Sequence, residues 1–181
     1  MPIMHYAELI AHSFYDTLRL GKGQVLDQFV LFQQTVGDVG KFGDTNMNAP
    51  GRLLPGECFV GRRLWIDLLY ADATDLSLLK SDCIVTLKCD SKIYSSLPAS
   101  VLVLESTLSR IIKIIEKKKL PPGKPFWEVT NRLQLGLLVE PIAIQDTTSF
   151  SVHVTTRNPI TLTDKLAARI FWEGHLRRPV Q

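Results

Sequence analysis

The residues best suited to metal or nucleophile chemistry in this 181-residue sequence are its four histidines and three cysteines. Their spacing assembles neither chemistry. His5, His12, His153 and His175 are scattered, and none stands at the i, i+2 or i+4 separation that places two imidazoles on one metal. Cys58, Cys83 and Cys89 have no C-x-x-C spacing, so they read as reduced, buried thiols in a protein synthesised in the cytoplasm. Cys58 follows Gly56 and Glu57 with no histidine identifiable as its base. No serine lies in a G-x-S-x-G elbow. The run from Gly37 to Gly43 is glycine-rich, but it lacks the Gly-Lys-Ser/Thr end of a phosphate loop and has no βαβ unit around it. The expectation is a non-enzymatic chain with no catalytic residue, no metal ligand, no cofactor-binding residue and no cofactor.

Charge and aromatic residues point elsewhere. Arg62-Arg63 lie beside Trp65 and Arg177-Arg178 close to Phe171 and Trp172, and Lys117-Lys118-Lys119 form a third basic cluster. A net charge of +3 gives little steering toward nucleic acid, so no sequence-specific nucleic-acid binding is expected. The lysine run reads as a solvated helix end. The arginines flank strands, where guanidinium groups form inter-subunit pairs with carboxylates, and Glu57, Asp67 and Glu173 are candidate partners in a neighbouring copy. Trp65 and Phe171 fall at nominally outward strand positions, and exposed apolar surface marks an interface. Trp65, Arg62, Arg63, Phe171, Arg177 and Arg178 are therefore the candidate subunit-interface residues, and other copies of the chain the expected partners.

The elements that must carry these residues are mostly strands. Positions 166–173 alternate Leu166, Ala168, Ile170 and Trp172 with Ala167, Arg169, Phe171 and Glu173, and Phe150, Val152 and Val154 alternate with Ser151 and His153. The strongest strand reads over 59–70, with Val60, Leu64, Ile66, Leu68 and Tyr70 on one face and Gly61, Arg63, Trp65 and Asp67 on the other. Further strands are expected over 25–36, 84–89, 101–104, 133–139 and 141–144. Residues 72–82 read as a connection with a helical turn. Tyr6, Leu9, Ile10 and Phe14 approach helical spacing, which predicts a short amphipathic helix over 5–20, ended by Gly21-Lys22-Gly23. Arg19 and Lys22 are offset there by Glu8 and Asp16, which argues against membrane-surface binding. The clear helix lies over 106–119, with Leu108, Ile111, Ile112 and Ile115 on one stripe and Pro121-Pro122-Gly123 stopping it. Residues 37–57 are punctuated by glycine and proline, and a loop that long carries a function or an interface. No apolar run reaches membrane-spanning length, and Met1 to His5 lack the basic and apolar regions of a secretion signal. About eight short strands separated by turns make an antiparallel sandwich.

Three stretches carry a resemblance to a known family: Thr45 to Glu57 leading into Phe59; Glu140 to Ile144 followed by Phe150 to Val154; and Trp172 to Gln181. With these the chain resembles the single jelly-roll capsid proteins of tailless icosahedral viruses, bacteriophages above all. The resemblance implies an all-β antiparallel jelly-roll sandwich with one inserted α-helix and the short N-terminal helix, divided into an N-terminal arm or helix (1–24) and a single jelly-roll domain (25–181). It implies a capsid subunit that assembles through edges and loops into capsomers or vertices around a genome. It further implies other capsid proteins as partners, sometimes an internal membrane, and a place in the virion. An arginine-rich N-terminal arm is missing, which argues against genome packaging by this chain. Two other readings stand beside it. A receptor- or carbohydrate-binding sandwich would use Phe126 and Trp127 as its aromatic platform. A cupin-like enzyme would need a histidine and carboxylate cluster that the sequence does not offer.

Overall fold

The computed structural model describes residues 7–36, 44–104 and 137–179. Among the described residues nine strands form two packed sheets. One sheet holds β1 (Ala7–Leu20), β9 (Leu166–Pro179) and β3 (Cys58–Tyr70) in that order; β7 (Leu137–Gln145) and a two-residue parallel strand, β6 (Val103–Leu104), share the far side of β3. The other sheet runs β2 (Val25–Leu31), β8 (Phe150–Thr161), β4 (Cys83–Cys89), β5 (Lys92–Pro98), all antiparallel. The chain passes repeatedly from one sheet to the other. The orders 1-9-3-7 and 2-8-4-5 give a two-sheet antiparallel sandwich of jelly-roll-like connectivity. Two helices are inserted, α1 (Ala73–Asp82) and α2 (Ala99–Leu102).

The segment read as an N-terminal helix is strand β1, paired with β9 from Ala7↔Pro179 to Leu20↔Leu166. Its inward positions are Ile10, His12, Phe14, Asp16, Leu18 and Leu20. Two of them are polar, which hides the period-two pattern behind a chance helical one. Residues 101–104, read as a strand, are divided between the end of α2 and β6. The connection over 72–82 contains a ten-residue helix, α1, capped by Asp72, whose Oδ1 accepts from Thr74 N–H at 2.8 Å. The helix expected over 106–119 lies outside the described residues.

Aromatic rings join the two sheets. Phe150 of the four-stranded sheet packs edge-on against Trp172 (5.2 Å between centroids) and lies 5.8 Å from Phe14, both of the five-stranded sheet; Phe59 meets Phe14 at 4.9 Å and Trp172 at 5.0 Å. Trp172 fits because Gly61 and Gly174 stand opposite each other on β3 and β9. A Cβ on Gly61 would enter the indole ring, and one on Gly174 would run into the Val60 carbonyl. The pairing slips between Gly61 and Arg63. This bulge changes which alternate residues face inward. Phe59 and Gly61 are inward before it and Leu64 and Ile66 after it, so Val60 is not on the face of Leu64 as its spacing suggests.

The long loop after β2 is built into the core. Asn46 lies along the outer edge of β1: its Oδ1 accepts from Tyr15 N–H (2.8 Å) and its Nδ2 donates to the Ser13 carbonyl (2.7 Å). Met47 and Leu53 are buried in the core. Gly51, at φ +56°, ties β2 to β8: its N–H donates to the Phe32 carbonyl (2.6 Å) and its carbonyl accepts from Phe150 N–H (2.8 Å). Phe32 itself sits at φ +67°, a conformation strained for a bulky residue, and is held there by Asp16, whose Oδ2 accepts from Phe32 N–H at 2.6 Å. Asp16 is 1% exposed, and burial raises its carboxyl above the usual 3.8 against the opposing pull of the Phe32 and Thr17 N–H groups. At the other end of the sandwich, Asp75 of α1 accepts from the N–H groups of Thr163 and Asp164 and so fixes the turn before β9.

Candidate functional site

Groups that could do chemistry are dispersed or already engaged. Among the described residues no three His, Cys, Asp or Glu side chains come together to hold a metal. Burial pushes the Cys83 thiol up to about 11 and the Cys89 thiol up to about 12, which keeps both as neutral core hydrophobes. Cys58, at the start of β3, is partly exposed and unpaired with another cysteine. Ser151 and His153 stand together on the outward side of β8, with Ser151 Oγ 3.0 Å from His153 Nε2. Among the described residues His153 Nδ1 has no hydrogen-bond partner, and no carboxylate there orients such a dyad. Partial burial, with the Lys88 charge nearby, lowers the His153 pKa below its usual 6.5. The cavity between Leu18, Ile66, Leu79, Val154 and Ile170 is about 10 Å³ and wholly apolar, room for less than one ordered water. Among the described residues no helix is long and apolar enough to cross a membrane.

The outer face of the five-stranded sheet is where the sequence-predicted residues converge. Central strand β9 sends Arg169, Phe171 and Glu173 outward, and the registers place a residue of β1 and one of β3 beside each. The middle row is Tyr15, Phe171, Trp65. Trp65 lies flat on Phe171, with centroids 4.1 Å apart and planes 10° apart, and Tyr15 tilts against the other side at 5.7 Å. Each ring is half-buried. Ring pairs of this kind contribute about 0.5–1.5 kcal/mol each beyond area burial.

One row on either side carries charge. Toward the Leu166 end of β9 the row is Thr17, Arg169, Asp67; toward the Pro179 end it is Ser13, Glu173, Arg63. Arg169 lies over the Tyr15 ring at 4.9 Å, and its Nε donates to Thr17 Oγ1 at 3.1 Å. Thr17 Oγ1 donates in turn to the Asp44 carbonyl (2.7 Å), and Asp44 pairs with Arg19 at 2.6 Å. Arg63 and Glu173 approach only to 3.9 Å with side chains 45% and 33% exposed, a pair worth about 0–1 kcal/mol.

Of the six candidate interface residues, Trp65 and Phe171 are in contact and Arg63 is one row away. Arg62 occupies the bulge and is exposed. Arg177 and Arg178 lie toward the far end of β9. Arg178 there pairs with Glu8 of its own chain at 2.9 Å, and the Glu57 carboxylate accepts from the Leu54 N–H at 2.9 Å. Tyr15 and Arg169 complete the surface and were missed, Tyr15 because β1 read as a helix. The Phe126 and Trp127 platform and the Gly37–Gly43 loop lie outside the described residues. No known protein-family model and no curated protein sequence matches the chain.

Proposed function

We propose that this chain is a capsid subunit of a tailless icosahedral virus, a non-enzymatic jelly-roll protein whose work is repeated self-association. The observation that carries the reading is the Tyr15–Phe171–Trp65 row on the outer face of the sandwich, bordered by charges of both signs. Apolar rings bordered by arginine and carboxylate are the composition of a protein–protein contact. They lie on three adjacent strands of one sheet, a rigid base for a repeated contact. In a shell many modest contacts sum, so no single interface has to be strong. Other copies of the chain, and other capsid proteins, are the partners of this reading, and the virion its location.

Light scattering and negative-stain imaging of the full chain, across salt and concentration, test it. Rings, capsomers or shells are the expected result. Trp65→Glu and Phe171→Glu should abolish them while leaving a cooperative thermal transition. Particles no larger than a dimer at high concentration would overturn the shell reading, and loss of folding in both variants would reassign the rings to internal packing.

A further inference from the structure

The two charged rows that flank the aromatic row are complementary to each other. Moving two residues along each strand from the ring row toward the Leu166 end of β9 meets Thr17, Arg169 and Asp67; moving two the other way meets Ser13, Glu173 and Arg63. The row toward Pro179 therefore carries Glu173 on β9 and Arg63 on β3, the row toward Leu166 carries Arg169 and Asp67 with the signs exchanged, and β1 supplies a hydroxyl to each. A two-fold axis lying along the ring row, between two facing copies, reverses the strand direction and leaves each strand opposite itself. It sets Arg169 against Glu173 of a second copy and Asp67 against Arg63. Each of these meetings then occurs twice. One row further out it sets Arg19 against Ala11, so no like charges meet there either, and Ala167 is buried within its own chain. A two-fold axis along β9 would instead set Arg169 against Arg169 and Glu173 against Glu173, and would leave Asp67 and Arg63 opposite the hydroxyls of β1.

We propose that the outer face of the five-stranded sheet binds a second copy of this chain face to face, about a two-fold axis that runs along Tyr15, Phe171 and Trp65. The contact is isologous, so one patch serves both partners. The strands of the two copies run antiparallel, within the ~30° that sheet twist imposes on face packing. Four strands ~4.8 Å apart and ~10 residues long at ~3.4 Å each give about 650 Å² per copy. That is close to the ~800 Å² per partner of a standard specific interface. Arg63 and Glu173, held only at 3.9 Å within the chain, are placed to exchange that loose pair for partners across the axis. The proposal rests on the self-association reading but not on the shell.

Two complementary variants of the full chain test it: R63D, which makes both β3 positions negative, and D67R, which makes both positive. Each homodimer then meets like charge with like, while the mixed dimer meets opposite charges twice. In sedimentation velocity each variant by itself should dissociate at a concentration about tenfold or more above wild type. An equimolar mixture should recover dimers, with the two chains in one-to-one ratio by mass spectrometry. Two folded variants whose mixture stays monomeric would overturn the proposal, as would a wild type monomeric at hundred-micromolar concentration or recovery only with an added foreign protein. If either variant fails to unfold cooperatively on heating, the pair Arg169→Glu and Glu173→Arg repeats the test on β9. Large particles without charge-swap recovery would leave the shell reading standing and remove the dimer; dimers with recovery and nothing larger would do the reverse.

Discussion

Gly61→Ala should be among the costliest single-methyl additions in this protein. The new Cβ would stand 2.7 Å from Cζ2 of Trp172 and closer still to Nε1 and Cε2. An ordinary contact needs 3.4 Å or more, so the indole must retreat by at least ~0.7 Å at Cζ2 and further at the nitrogen. It has nowhere to go: Trp172 is 0% exposed and packs edge-on against both Phe59 and Phe150. Overpacking costs typically ~1–3 kcal/mol, and this rigid setting belongs at the upper end. Replacing glycine returns ~0.4–1 kcal/mol by restricting the unfolded chain. The net expectation is a loss of about 2 kcal/mol, a fall in Tm of about 4–8 °C for a chain of this length. Urea titration read by far-UV circular dichroism should show a lower midpoint with an unchanged slope. The decisive comparison is the same substitution in a Trp172→Phe background, where the smaller ring leaves room and the loss should shrink by at least half. A loss below ~0.5 kcal/mol in the wild-type background, or an equal loss in both, would refute the steric reasoning.

Asn46→Ala should cost about 1–3 kcal/mol by leaving Tyr15 N–H and the Ser13 carbonyl unpaired, and should add edge-to-edge aggregation on mild heating, read by turbidity. Asp16 has a folded pKa raised above 3.8, so its contribution is fully present below that value and is lost as pH rises through the folded pKa. Asp16→Asn should therefore gain stability relative to wild type as pH rises through that window and hold a constant difference above it; a difference independent of pH from 3 to 7 would contradict this. His12 and His153 have lowered pKa values, mainly from burial, so their contribution is present above pH 6.5 and lost as pH falls through the folded values. His12→Gln should flatten the decline between pH 6.5 and 5 in thermal melts. A thiol reagent at pH 8 should label one cysteine quickly, Cys58, and reach Cys83 and Cys89 only with denaturant.

Where alternation was uninterrupted, the strands were legible in the sequence. The inward Phe150, Val152 and Val154 of β8 and the inward Leu166, Ala168, Ile170 and Trp172 of β9 are all buried as their spacing requires. Legibility failed where a polar residue occupies an inward position for a local reason. His12 and Asp16 broke the apolar pattern of β1, yet Asp16 is inward because it holds the strained Phe32 N–H, a partner sixteen residues away. Asp75 disguised α1 in the same way, since its carboxylate serves a turn that follows β8. The bulge at Arg62 inverted the faces of half of β3, and no residue type announces a bulge of that kind. The candidate surface was half legible: Trp65 and Phe171 were found from their outward parity, while Tyr15 and Arg169 required knowledge of which strands flank β9.

The described part of the long loop after β2 contributes to the fold itself. Between residues 44 and 57 several side chains and backbone groups are spent inside the fold, while Arg52, Leu54 and Pro55 stay exposed. Asn46 covers the β1 edge, Met47 and Leu53 fill the core, Gly51 joins β2 to β8, and Gly56 N–H donates to Asp146 at 2.6 Å. Asn46 thereby blunts the β1 edge against strand pairing. On β9 Phe171 and Trp172 sit side by side in sequence and point in opposite directions. Trp172, fully buried between glycine and phenylalanine, ties the sheets together; Phe171, half-buried under Trp65, faces away from the core. The two rings make opposite demands on one experiment. A polar residue at 172 should destroy folding and with it every assembly, whereas a polar residue at 171 should leave the melting transition cooperative and remove only the association of copies. Equal damage from both would mean that the outer rings belong to the folding core, and the self-association reading would lose the observation on which it stands.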